Sequence, residues 1–298
     1  ALRKFGAKVE ECTEKLEAVC EKLHGTEIFF AGKSVGATEQ AVLTAVSASG
    51  KTRIYNCAKE PEIIWLCRFL KKMGASIQGE GTEEILIEGG KIIQGADMQV
   101  PPDRIVAGTY LCAAAATRGR IEIQNPPQGE LTAFLEVYRK MGGQYEWNSG
   151  KLVADGSRVR FPVSMTETAA YPGFPTDLQS LLMAVLATIP GKSCILESVF
   201  EDRFKITGEL NRMGAEIRTE GRKAWIRGTS DLQGGYLQAQ ELRGGAALVV
   251  AALAARGESI VEGYSFICRG YEDIVQDISD LGGKIKKDTG MTTYEYIQ

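Results

Sequence analysis

Leu210-Asn211-Arg212-Met213-Gly214-Ala215 is one of five versions of a short phrase, and its recurrence decides the fold. The others are Leu2-Arg3-Lys4-Phe5-Gly6-Ala7, Leu70-Lys71-Lys72-Met73-Gly74-Ala75, Tyr138-Arg139-Lys140-Met141-Gly142-Gly143 and the looser Ser279-Asp280-Leu281-Gly282-Gly283. Their marker glycines lie 68, 68, 72 and 68 residues apart. Each closes an amphipathic helix, as a glycine just past a helix end does. Each is followed by an alternating segment, such as Glu216-Ile217-Arg218-Thr219, that reads as a strand. The chain is therefore an internal repeat.

Working outward, every unit holds an earlier and more apolar helix, over 34–49, 103–118, 176–189 and 242–256. These end at Gly50, Gly119, Gly191 and Gly257, and strand-like segments follow at 52–56, 120–124, 193–197 and 259–262. A second helix then begins near Glu60, Gln128, Glu201 and Tyr271. Each unit reads strand, helix, strand, helix, strand, strand, which is α/β. The first helices have almost no polar face and should be buried all round; the second carry a charged stripe and should face solvent. Residues 1–6 read as the end of an outer helix, so the chain opens inside a unit and upstream sequence is expected.

With 298 residues, 24% of them charged and 44% hydrophobic, the chain can bury a large core and divide into two domains. A formal net charge of −3 gives no attraction for nucleic acid or an anionic membrane. The longest apolar run, around 246–255, is too short to span a bilayer, and Ala1-Leu2-Arg3-Lys4-Phe5 lacks a signal peptide's apolar stretch, so a cytoplasmic location is expected. Seven cysteines without a C-x-x-C pair argue against a zinc site or a disulfide framework. The single histidine, His24, leaves no Ser-His-Asp or Cys-His arrangement to expect. No Walker phosphate loop, dinucleotide fingerprint or metal-ligand cluster is present, so no cofactor is implied.

Polar residues concentrate at helix starts. The buried helices open on Ser34, Val35 and Gly36, on Asp103 and Arg104, on Thr176 and Asp177, and on Arg243; the second helices add Glu60, Arg203 and Arg269. Helix starts carry partial positive charge and free N–H groups, so a set of them attracts anions, and arginine binds phosphate or carboxylate bidentately. The most constrained start is Ala170-Tyr171-Pro172-Gly173-Phe174-Pro175-Thr176-Asp177-Leu178-Gln179, a rigid turn delivering a carboxylate to a helix. Read alone, Asp177 is either a plain cap or a positioned proton acceptor.

These stretches, with Lys59-Glu60-Pro61-Glu62-Ile63, Phe200-Glu201-Asp202-Arg203-Phe204, Glu241-Leu242-Arg243 and Arg269-Gly270-Tyr271-Glu272, closely resemble the enolpyruvyl transferase family. Within it they match the UDP-N-acetylglucosamine 1-carboxyvinyltransferase branch, in order and over almost the whole chain. The resemblance implies two lobes built from six βαβαββ units around buried helices. About four units fall in this chain, with residues 1–101 an incomplete first lobe and residues 102–298 the second. It implies transfer of the enolpyruvyl group from phosphoenolpyruvate to the 3-hydroxyl of UDP-N-acetylglucosamine with release of phosphate, a step of peptidoglycan precursor synthesis. Carried over, Asp177 accepts the hydroxyl proton, and Arg243 and Arg269 bind phosphoenolpyruvate. Ser34, Val35, Gly36 and Val199 line the uridine diphosphate site, while Glu60, Arg104, Thr176 and Arg203 are substrate-binding residues.

The chain departs from the family pattern in several places. The family's loop with a reactive cysteine and arginine, and its upstream lysine–asparagine pair, match no residue here, so residues 1–298 alone are expected to lack turnover. Glu241 stands where aspartate is usual, Gly244 where alanine is usual, and Cys268 where an acid often precedes the arginine. Two alternatives stay open: a non-catalytic UDP-sugar-binding or regulatory protein, and a 5-enolpyruvylshikimate-3-phosphate synthase-like transferase. The expected partners are the two small-molecule substrates, with no nucleic acid and no membrane. The exposed edge of an interrupted lobe is a place for self-association.

Overall fold

The computed structural model describes residues 1–90, 94–288 and 295–297. It divides into two compact units, residues 1–101 with 170–172, and residues 102–169 with 173–298.

The first unit opens on a 3-10 turn, Leu2–Phe5, and a hairpin of β1 (Lys8–Glu11) and β2 (Leu16–Val19). There follow β3 (Glu27–Phe29), α1 (Val35–Ser47), β4 (Gly50–Tyr55), α2 (Pro61–Lys72), β5 (Ser76–Gln78) and β6 (Glu84–Gly89). The four later strands form one sheet in the order β3-β4-β6-β5, with β3 parallel to β4 and the other pairs antiparallel. Val42, Ala45, Ile54, Ile63, Ile85 and Ile87 form the heart of its core.

The second unit repeats the plan three times. It holds α3 (Arg104–Thr117), β7 (Arg120–Gln124), α4 (Thr132–Lys140), β8 (Gln144–Asn148) and β9 (Lys151–Asp155). Next come β10 (Thr166–Glu167), α5 (Gln179–Ala187), β11 (Gly191–Leu196), α6 (Thr207–Arg212), β12 (Glu216–Glu220) and β13 (Lys223–Gly228). The third copy is β14 (Tyr236–Gln238), α7 (Leu242–Ala254), β15 (Ser259–Glu262), α8 (Tyr264–Ile267), α9 (Ile274–Asp280), β16 (Ile285–Lys287) and β17 (Glu295–Ile297). Two sheets have the same order as the first unit's, β10-β11-β13-β12 and β14-β15-β17-β16. The helices α3, α5 and α7 pack against one another at the centre. Every residue of α5 is buried, and each of its leucines contributes about 1.5–3 kcal/mol by leaving water. Among the described residues no helix is long and apolar enough to cross a membrane.

The marker glycines are what the repeat requires. Gly6, Gly74, Gly142, Gly214 and Gly282 all have φ between 89° and 103°, where an L side chain is strained. In each unit the next N–H reaches back five residues, as in Ala75 to Leu70 O (2.9 Å) and Ala215 to Leu210 O (3.1 Å). That is the Schellman closure, in which the two residues so linked also touch. In the unit closed by Gly142 those two are Tyr138 and Gly143, and a Cβ on Gly143 would stand 2.2 Å from the tyrosine ring.

Four expectations need correction. The second helices of the last three units begin later than the pattern placed them, at Thr132, Thr207 and Ile274 rather than near Gln128, Glu201 and Tyr271. Local contacts hold the intervening residues: Glu130 N–H closes a turn on Pro127 O, and Asp273 caps α9 through Gln276 N–H. The third buried helix starts as a 3-10 turn, Thr176–Leu178, before becoming α-helical at Gln179. The first buried helix is not covered all round: Gln40, Leu43 and Ser47 leave one stripe of α1 exposed, because no second central helix packs on α1 within its unit. Finally, among the described residues no strand forms directly before α3; residues 94–101 are irregular, and β7 sits in a three-stranded sheet of order β7-β9-β8.

Candidate functional site

The site is clearest in the second unit, at the start of α5. Pro175 fixes the entry to the 3-10 turn, so Thr176 and Asp177 leave it before the helix proper begins. Neither side chain caps the helix, which rules out the plain-cap reading of Asp177. Its Oδ1 instead accepts from Arg203 Nη2 at 2.7 Å and Nη1 at 3.2 Å, and its Oδ2 lies 3.7 Å from Arg243 Nη2. The carboxylate remains 42% exposed while both guanidinium groups are largely buried. An open anion held between two sheltered cations can exchange a proton with an incoming hydroxyl without losing its position.

A second carboxylate organises this pair, and the sequence reading missed it. Glu197, 1% exposed, accepts from Thr176 Oγ1 at 2.8 Å and from the N–H groups of Val199 and Phe200, both at 2.9 Å. Thr176 Oγ1 in turn accepts from Arg203 Nη1 at 3.1 Å. Glu197 thereby fastens the loop carrying Val199 and Arg203 to the turn carrying Asp177. The available signal was a polar residue just past the same strand in other units, Asn56 and Asn125. Arg203 also lies over the Phe200 ring, 5.0 Å from its centroid.

Arg243 is set by its own helix start. Glu241 caps α7, accepting from Gly244 N–H at 2.5 Å and Arg243 N–H at 3.2 Å. A Cβ on Gly244 would lie 2.6 Å from Glu241 Oε1. A side chain at 244 and the capping carboxylate of Glu241 would therefore compete for one space. Arg243 Nη1 is buried without an acceptor, a donor suited to an anion. Beside it Tyr271 bonds Thr109 through their hydroxyls at 2.8 Å, and burial pushes the Tyr271 hydroxyl pKa up.

The remaining expected residues are more dispersed. Arg104 is buried at the first position of α3, after Asp103 caps that helix through Ile105 N–H (2.6 Å) and Val106 N–H (3.1 Å). Arg269 follows α8, is exposed, and is not brought to Asp177 by any contact among the described residues. In the first unit Ser34 caps α1 through Ala37 N–H at 3.3 Å, with Val35 and Gly36 in the first turn behind it. Glu60 is the residue before α2; its Oε1 accepts from Tyr171 N–H at 3.1 Å and its Oε2 is buried without a partner. Of the cysteines, burial pushes the thiols of Cys57 to about 11 and Cys67 to about 12, and raises those of Cys112 and Cys194. Such thiols are poor nucleophiles. Among the described residues no group of His, Cys, Asp or Glu side chains could hold a metal ion.

Comparison with known proteins places the chain in a family and gives its fold. The pattern of the EPSP synthase (3-phosphoshikimate 1-carboxyvinyltransferase) family matches residues 1–278. The chain is 44% identical over 286 residues to UDP-N-acetylglucosamine 1-carboxyvinyltransferase 2 of Carboxydothermus hydrogenoformans, covering 95% of this chain and 68% of that protein. It is 42% identical over 287 residues to the corresponding enzyme 1 of Symbiobacterium thermophilum, covering 96% of this chain and 65% of that protein. The chain therefore spans about two thirds of the length of these relatives. In fold it matches the enolpyruvyl transferase NikO from Streptomyces tendae, with a TM-score of 0.83 at 22% identity over 94% of this chain and 69% of that one. It also matches the EPSP synthase of Acinetobacter baumannii, with a TM-score of 0.69 at 19% identity over 94% and 68% of the two chains. With the repeat, the shared fold and the extent of these matches in agreement, this chain belongs to the EPSP synthase family of enolpyruvyl transferases.

Proposed function

We propose that the chain takes part in enolpyruvyl transfer from phosphoenolpyruvate to the 3-hydroxyl of UDP-N-acetylglucosamine. The observation that carries this reading is Asp177, withheld from capping and held open between Arg203 and Arg243. In the reaction the sugar hydroxyl oxygen bonds C2 of phosphoenolpyruvate as Asp177 takes the hydroxyl proton, and C3 gains a proton. The tetrahedral phospho-ketal then loses phosphate and a C3 proton, which restores the double bond in the enolpyruvyl ether. Arg243, with its unpartnered Nη1, and Arg269 bind the phosphoenolpyruvate anions. Thr176, Arg203, Arg104 and Glu60 contact the sugar substrate, while Ser34, Val35, Gly36 and Val199 take its uridine diphosphate.

The names of the relatives support the UDP-sugar over shikimate phosphate as acceptor. A second reading is UDP-sugar binding without turnover by residues 1–298 alone. Two measurements decide. UDP-N-acetylglucosamine-dependent release of inorganic phosphate supports transfer, and its loss in Asp177→Asn assigns the base. Calorimetric heat with UDP-N-acetylglucosamine but no phosphate supports the binding reading, and no heat at millimolar ligand overturns both.

A further inference from the structure

Tyr271 stands beside Arg243, and enolpyruvyl transfer as written gives it no task. It is 4% exposed, on the segment that joins α8 to α9. That segment is pressed onto the first turn of α7. A Cβ on Gly270 would stand 2.9 Å from the side chain of Leu242, the residue before Arg243. A glycine at 270 is thus what lets the phenol come so close to the guanidinium.

The hydroxyl protons here have a fixed order. Thr109, buried within α3, donates to Ile105 O at 2.9 Å, the carbonyl one turn back. Its single proton is spent there. At the 2.8 Å contact between the two hydroxyls the threonine oxygen therefore accepts and Tyr271 donates. The lone pairs of the Tyr271 oxygen are left for another donor, and the Arg243 guanidinium supplies it. The chain runs from Arg243 through Tyr271 and Thr109 to Ile105 O, every link pointing the same way. Hydrogen bonds so aligned polarise one another.

Asp177 does not hold this guanidinium by a hydrogen bond. Its Oδ2 is 3.7 Å from Arg243 Nη2, whereas Arg203 meets the same carboxylate at 2.7 Å. Glu241 bonds the main-chain N–H of Arg243, which leaves the long side chain to be oriented by other groups. Keeping Nη1 buried without an acceptor is costly unless the rest of the group is fixed. A second carboxylate could fix it, but would compete with an incoming anion for the positive charge; a neutral phenol oxygen does not. The geometry points to Tyr271 as the positioning residue for Arg243: an uncharged acceptor, locked by Thr109, that aims Nη1 into the anion site and leaves the charge free for phosphoenolpyruvate or released phosphate. This rests on the reading of Arg243 as an anion-binding group.

Inorganic phosphate is the probe, titrated by calorimetry into residues 1–298 and followed by the Cζ resonance of isotopically labelled Tyr271. The unaltered chain should bind phosphate with a shift of that resonance, and Arg243→Gln should lose both. Tyr271→Phe should weaken phosphate binding by about 5- to 20-fold. A loosened core would do the same, so the deciding pair is at Thr109. Thr109→Val keeps the ring but releases the tyrosine proton to turn toward Arg243, and should weaken phosphate by about threefold or more. Thr109→Ser keeps the accepting hydroxyl and should bind within about twofold of the unaltered chain. Equal affinity in Tyr271→Phe overturns the proposal, as does Thr109→Ser binding no better than Thr109→Val. Phosphate binding that survives Arg243→Gln, or none at tens of millimolar, instead overturns Arg243 as the anion donor and the role of Tyr271 with it.

Discussion

At the start of α3, Asp103 turns its carboxylate back onto the N–H groups of Ile105 and Val106; at the start of α5, Asp177 turns away from its helix and onto Arg203 and Arg243. The two aspartates stand at the starts of buried helices in successive repeat units. One completes the hydrogen bonding of its own helix, and the other leaves that to chance. The difference lies in what precedes and faces them. Pro175 inserts a 3-10 turn that rotates Asp177 out of capping position, and the loop fixed by Glu197 presents Arg203 to it. Of the two aspartates, the one without a capping task is the one whose carboxylate meets two arginines.

The strongest way to break this comparison is Asp177→Asn, which keeps the size and one acceptor oxygen but removes the base. In any active form that contains this chain, phosphate release should fall by about 10²–10⁴-fold while the denaturation midpoint stays nearly unchanged. A loss of stability matching that of a cap mutant would make the two aspartates alike after all. Next in size, Gly244→Ala drives a methyl into Glu241 and should cost about 1–2 kcal/mol through loss of the α7 cap. Glu241→Asp in the same chain should recover part of that cost, measured by urea denaturation. Asp103→Ala should lower stability by about 1 kcal/mol with UDP-N-acetylglucosamine binding heat retained, the mirror image of Asp177→Asn.

The smallest effect concerns the thiols, the other candidates for polar chemistry. Burial holds the folded pKa of Cys57 and Cys67 near 11 and 12, above the ordinary value. A raised folded pKa means the stabilisation is complete below about 9 and is lost only as pH rises toward 12. These two thiols should therefore leave the unfolding midpoint flat between pH 7 and 8.5. A thiol reagent at pH 8 should label exposed Cys12 and Cys268 first. Fast labelling of Cys57 would show that its surroundings open.

The repeat and the buried helices were legible because their causes are local. A glycine at φ near 100° and an unbroken apolar run such as Ala246–Ala252 declare themselves in a few residues. The pairing of Asp177 with Arg203 was not, since the residues are 26 apart and meet only through the loop that Glu197 holds. The late starts of α4 and α9 had a local cause instead, residues near the helical pattern being spent on a turn at Pro127–Glu130 and on the Asp273 cap. The missing strand before α3 was illegible for another reason: pairing depends on what is available alongside, and periodicity carries no record of that.

The tyrosine ring resting on Gly143 has a consequence for how such a chain can change. Where the helix-closing phrase carries leucine, the residue five places on is alanine, as in Leu2 with Ala7, Leu70 with Ala75 and Leu210 with Ala215. Where it carries Tyr138 or Ile278, that residue is Gly143 or Gly283, and an added Cβ would stand 2.2 or 2.5 Å from its partner. The two positions share one fixed volume and trade it between them. Neither residue can be moved from one unit to another alone; a shuffled repeat would have to inherit both members of the couple or neither.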